Sequence, residues 1–150
     1  MTKSKLLAGL SIAAGLAIAA TAVQAQQDAI AKRKEIMKSN GASAKAASDM
    51  IKGDRPFDAK IAEESASKIA SNLVEFEKLF PKGSEAGETR ASPKIWSDST
   101  GFEAKAKEVA TSASNASVAA AKGLDSFKAA FGDVGKGCAA CHDAYRTPAK

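Results

Sequence analysis

The stretch that decides the fold is LDSFKAAFGDVGKGCAACHDAYR, Leu124 to Arg146. Leu124, Phe127, Phe131, Val134, Cys138, Cys141 and Tyr145 recur at steps of three and four. That spacing draws one apolar stripe down one face of a continuous helix. Both cysteines therefore share a face with the aromatic residues. The only histidine of the chain, His142, follows Cys141 directly. Gly132, Gly135 and Gly137 each cost a helix about 1 kcal/mol against alanine. They thin the helix where something bulky would lie against it.

Working back from this segment, three more stretches carry helical spacing. From about Asp28 to Ile51, the residues Ile30, Met37, Ala44 and Ile51 fall seven apart. KGDRPFD, Lys52 to Asp58, breaks that pattern with Gly53 and Pro56. Asp58 is placed to cap a helix from about Ala59 to Phe80, with Ile61, Ile69, Leu73, Phe76 and Phe80 inward. Pro81 and Gly83 end it, and a polar loop follows in which Ile95 and Trp96 are the anchors to the core. A third helix is predicted from about Phe102 to Lys122, with Phe102, Val109, Ala113 and Ala116 inward and Gly123 as its stop. Its small residues favour close helix approach. Four amphipathic helices with short links predict an all-α fold, an antiparallel up-down four-helix bundle.

The chain has 150 residues, enough for one domain with a real core. Lys3 and Lys5 precede an apolar run from Leu6 to about Val23, and Val23-Gln24-Ala25 places small residues at a cleavage site. Residues 1–25 are thus expected to be a cleaved signal peptide and residues 26–150 the mature domain. An uncleaved membrane anchor is the competing reading of the run, but the cleavage site and the many Ala and Gly residues favour removal. No comparable run follows, so no membrane association is expected after cleavage. The formal charge is +5, and the leader carries two of the lysines and no acid. This mild basicity, with no basic stripe interleaved with aromatics, argues against a nucleic-acid partner. It fits steering toward an acidic protein.

Cys138-Ala139-Ala140-Cys141-His142 is the spacing of a c-type haem attachment site. Each thiol adds to one vinyl group of the porphyrin, and the next residue then lies beneath the iron as an axial nitrogen ligand. A tetrahedral zinc site needs four N or S ligands, and only three are present. A thioredoxin-like pair needs a βαβ context that this helical pattern lacks. A disulfide alone would leave His142 and the glycines without a role. One haem c, covalently held by Cys138 and Cys141 with His142 on the iron, is the expected cofactor. Export agrees with it, because c-type haem is attached outside the cytoplasm.

On these residues the chain resembles the class II c-type cytochromes, the cytochrome c prime family with its low-spin, methionine-ligated relatives. FGDVGKGCAACHDAYR at the C-terminus is the most specific part, and KRKEIMKSNGA, LFPKGSE and SPKIW match in order and spacing. The resemblance implies a four-helix bundle, one covalent haem, a role in bacterial periplasmic electron transfer and frequent homodimers through the first two helices. It also places Met37 over the open face of the haem. In one branch a methionine there binds the iron and raises its potential; in the other the residue only shields a five-coordinate iron that binds nitric oxide or carbon monoxide. The residues around Met37 look closer to the ligating branch, and its ordinary alternative is a core methionine on the Ile30–Ile51 stripe. Met50 is assigned to the core.

Two arginines complete the candidate set. The resemblance places Arg146 beside the proximal histidine, where it would tune the imidazole; its other role is to offset the helix C-terminal dipole. Arg33 is either a partner for a haem propionate or part of a solvated Lys32-Arg33-Lys34 face. Tyr145 and Trp96 are assigned to packing. An enzyme is not expected, because a peroxidase would need a distal histidine and the only one is already used. The expected function is a periplasmic single-electron carrier exchanging with redox partner proteins, the alternative a gas-binding cytochrome c prime.

Overall fold

In a computed structural model the chain is described over residues 6–148, with side-chain surroundings from residue 24 onward. It is helical: α1 Leu6–Lys52, α2 Ala59–Phe76, a single turn α3 Lys94–Ser97, α4 Ser99–Ala120 and α5 Leu124–Tyr145. The four long helices form the bundle, α1 on α2, α2 on α4, and α4 on α5. α1 and α5 meet at few places, so the bundle has one loosely closed seam. The expected leader lies partly outside the described residues. From Leu6 its backbone runs into the rest of α1 as one helix. Among the described residues no helix is long and apolar enough to cross a membrane.

The boundaries follow local chemistry. Gly53, at φ 83°, ends α1 in the left-handed conformation that a glycine adopts without a Cβ penalty. Asp58 caps α2 as expected, its carboxylate accepting from the Ile61 N–H at 3.0 Å. α2 stops at Phe76 rather than Phe80, a correction with a plain cause. Pro81 disfavours helical backbone at Phe80, and residues 77–79 close as turns on Leu73, Glu75 and Phe76 instead. α4 starts three residues before Phe102 because Asp98 supplies its cap, accepting from the Gly101 N–H at 3.3 Å.

Two apolar clusters make the core. The larger is rich in alanine: Ala62 and Ala66 of α2 and Ala113, Ala116 and Ala120 of α4 share it with Ile69, Met50, Phe127 and Val134. The smaller is aromatic, formed by Phe102, Tyr145 and Ile95 with Phe76, Phe80 and Trp96 against them. The α1 stripe is rotated from the expected one. Ile30, Arg33, Ile36, Ala47 and Met50 are buried, whereas Met37, Ala44 and Ile51 sit at the border of the alanine cluster. A buried arginine on this face is what the strict seven-residue reading passed over. The glycines of α5 divide as well. A Cβ at Gly137 would meet Val109 of α4 at 2.8 Å, whereas Gly132 and Gly135 face open space. Gly137 therefore serves helix–helix approach.

Candidate functional site

The last turns of α5 carry the cysteines and the histidine. The stripe that fixes the helix also turns Cys138 toward the alanine cluster and Cys141 toward the aromatic one. Both thiols are unpaired and half-buried. Burial raises the pKa of each; the neighbouring Cys138 raises that of Cys141 further, and Lys105 opposes it. His142 lies on the exposed side of the same turn. Partial desolvation lowers its pKa, the cations Arg146 and Arg90 add to that, and Asp143 opposes. A neutral imidazole with a free nitrogen is the form that binds a metal.

Arg146 follows α5 as an exposed residue, and its N–H donates to the His142 carbonyl at 3.1 Å. The chain there pairs with the loop before α3: Ala91 bridges Arg146, and the Thr147 N–H donates to the Arg90 carbonyl at 2.9 Å. Arg90 returns the contact by donating from Nε and Nη2 to the Thr147 carbonyl, at 3.0 and 2.8 Å.

Across the loose seam, Met37 borders the alanine cluster from α1, as Cys138 does from α5. Arg33, one turn earlier, is only 5% exposed, which overturns its reading as part of a solvated face. Its Nη2 donates to the Ser84 carbonyl at 2.7 Å and its Nε to the Ala29 carbonyl at 3.3 Å. The guanidinium lies 4.6 Å from the Phe80 ring centroid and 5.7 Å from that of Trp96, both within cation–π range. Trp96 is held in place by its indole N–H donating to the Phe80 carbonyl at 3.1 Å. Burial lowers the arginine pKa and Glu85 opposes, yet a guanidinium stays charged. Its Nη1 is buried with no hydrogen-bond partner.

A buried cation with a spare donor fits an anion. Taken with the two thiols and the imidazole of α5, such a cation matches a porphyrin with carboxylate side groups. Among the described residues no three of His, Cys, Asp and Glu converge as a metal cluster. The structure thus brings Cys138, Cys141 and His142 together on one turn, sets Met37 on α1 against the same cluster as Cys138, and packs Arg33 against the segment after α2. Arg146 stands outside the packed region. Ser84, Phe80 and Trp96 were missed as members of the arginine's box. The available signal was the phase of Arg33, three residues from both Ile30 and Ile36 in an apolar seam.

The comparisons with known proteins agree with this geometry. The family described as Cytochrome C′ matches residues 28–146. A cytochrome c-556 of Rhodopseudomonas palustris is 31% identical over 140 residues, covering 90% of this chain and 93% of that protein. A cytochrome c′ of the same organism is 37% identical over 123 residues, covering 81% and 84%. The solved structure of cytochrome c′ from Rhodopseudomonas palustris superposes with a TM-score of 0.77 at 35% identity, covering 82% of this chain and 98% of that one.

Proposed function

The chain belongs to the cytochrome c′ family, and from that membership we propose that it is a periplasmic single-electron carrier whose iron is held by His142 and Met37. It is a class II c-type cytochrome, and its haem c is covalent through Cys138 and Cys141. The haem supplies a one-electron iron couple. The residues of this chain set its conditions. The two thioethers fix the macrocycle to α5, and His142 provides the nitrogen ligand from the same turn. Arg33 holds a haem carboxylate with its free Nη1 while Ser84, Phe80 and Trp96 keep the guanidinium in place. The alanine and aromatic clusters exclude water, which favours the less charged ferrous state.

The observation that carries the reading is the position of Met37 against the same cluster as Cys138, from the facing helix. A thioether is a soft donor and stabilises ferrous iron. Two further parts belong to the same reading: export with cleavage after Ala25, and exchange with an acidic redox protein. A homodimer through α1 and α2 completes it, checked by sedimentation of the purified protein.

One absorption spectrum tests the ligand. With Met37 on the iron, the ferric protein is low-spin and shows the weak long-wavelength band of a thioether–ferric haem. The ferrous protein then binds carbon monoxide slowly, because the Fe–S bond opens first. Met37→Ala converts it to a high-spin form with fast carbon monoxide binding and a lower potential. A high-spin spectrum of the unmutated ferric protein at neutral pH overturns the ligation and moves the function to gas binding.

A further inference from the structure

α5 ends at Tyr145, so His142 lies in the final turn of its helix. The last turn is where carbonyls lack intrahelical partners and helices fray. An axial ligand needs the opposite property, one fixed direction. The structure contains a device that meets this need. Tyr145, three residues after His142 and 8% exposed, donates from its hydroxyl to Asp98 at 2.8 Å. Among the described residues this is the one hydrogen bond between side chains that joins α5 to another element. Asp98 is itself held, because the same carboxylate caps α4 through the Gly101 N–H. The ring is fixed on its faces too: Phe102 packs edge-on with centroids 5.4 Å apart, and the Lys94 ammonium lies 5.2 Å from the ring centroid. The Tyr145 carbonyl accepts from the Ser92 N–H at 2.9 Å.

Gly101 supplies an independent sign that the contact is built. It sits in the first turn of α4, where alanine would be the better helix former by about 1 kcal/mol. A Cβ there would lie 2.6 Å from both Asp98 carboxylate oxygens and 2.7 Å from the Tyr145 hydroxyl. Only glycine leaves room for the pair.

We propose that Asp98, Tyr145 and Gly101 form a positioning clamp that holds the His142 turn and so fixes the orientation of the imidazole on the iron. Tyr145 and Asp98 act through His142 and do not touch the reacting iron. The proposal rests on the reading of His142 as an iron ligand.

The test uses the holoprotein and the haem-methyl pattern of the ferric form in paramagnetic NMR, which reports the direction of the imidazole plane. Tyr145→Phe keeps the ring and its packing and removes the donor. Its haem stays covalently bound, and its haem-methyl resonances shift and broaden or split into two sets. Gly101→Ala, which forces the pair apart from the other side, changes the pattern in the same direction. Asp98→Ala removes the acceptor of the hydroxyl from the other side of the pair and changes the pattern in the same direction. Ile69→Ala in the alanine cluster lowers the melting temperature without moving the pattern. An unchanged pattern in Tyr145→Phe, or an equal change in Ile69→Ala, overturns the clamp. His142→Ala, run beside them, separates the two readings. If its ferric spectrum equals that of the unmutated protein, it is the ligand assignment that fails.

Discussion

The two halves of the core are made of different materials. The α2–α4 half is alanine against alanine, with Ala62, Ala66, Ala113, Ala116 and Ala120 fully covered. The other end is aromatic, a run of edge-to-face contacts from Trp96 through Phe80 and Phe102 to Tyr145, at 5.6, 4.7 and 5.4 Å between centroids. The first arrangement brings two helices close and leaves nothing between them. The second gathers a loop, a helix start and a helix end around one buried arginine and the haem-bearing turn. Alanine fixes the distance between helices; the large rings hold the loop, Arg33 and the Cys141 turn together.

Four substitutions break or sharpen that contrast. The largest effect belongs to the haem-bearing turn itself. Cys138→Ala leaves one thioether at most, and most of the haem-bearing protein is lost; a haem-stained denaturing gel and the intact mass check this, and a normal doubly linked haem would contradict the assignment. Next comes overfilling of the alanine half. Ala113 has no exposed surface, so Ala113→Leu drives α2 and α4 apart and costs about 3 kcal/mol in urea unfolding, near the upper end for an overpacked core. Arg33→Leu acts at the aromatic end. It strips the buried Ser84 carbonyl of its donor and removes the cation from Phe80, lowering stability by about 1–2 kcal/mol. Lys34→Leu, one residue away and exposed, serves as its control. The smallest effect is at Val118, 69% exposed on the outer face of α4. Val118→Thr changes stability by less than about 0.5 kcal/mol.

The legible part of this fold was the part written in periodicity. The α5 stripe, the Asp58 cap, the Gly53 and Gly123 stops and the inward face of α4 all follow from neighbours within one or two turns, and the structure has them as expected. What sequence spacing left out depends on distant partners. Arg33 reads as polar in a run of three cations. Its burial is explained by Phe80, Ser84 and Trp96, residues far along the chain in a stretch that shows no period. The Asp98–Tyr145 bond has the same character, since neither residue points to the other until α3 and α4 are folded. The haem motif was legible because its three residues lie within a single turn. Met37 was named only through the family resemblance, because it lies on another helix and its spacing along α1 marks it equally as a core residue.

The contact of Gly137 with Val109 gives the bundle a mechanical property. A core of alanines has almost no side-chain torsions with which to absorb a change in volume, so α2 and α4 respond to stress as rigid rods. α5 rests on α4 through a bare backbone at Gly137, immediately before Cys138. A methyl group added in the α2–α4 interface is therefore not damped where it is added. It shifts α4 as a whole, and at Gly137 α5 has no side chain with which to yield to it. The α2–α4 interface is thus the stiff part of the bundle, and Gly137 is the point where α5 meets it with nothing to compress.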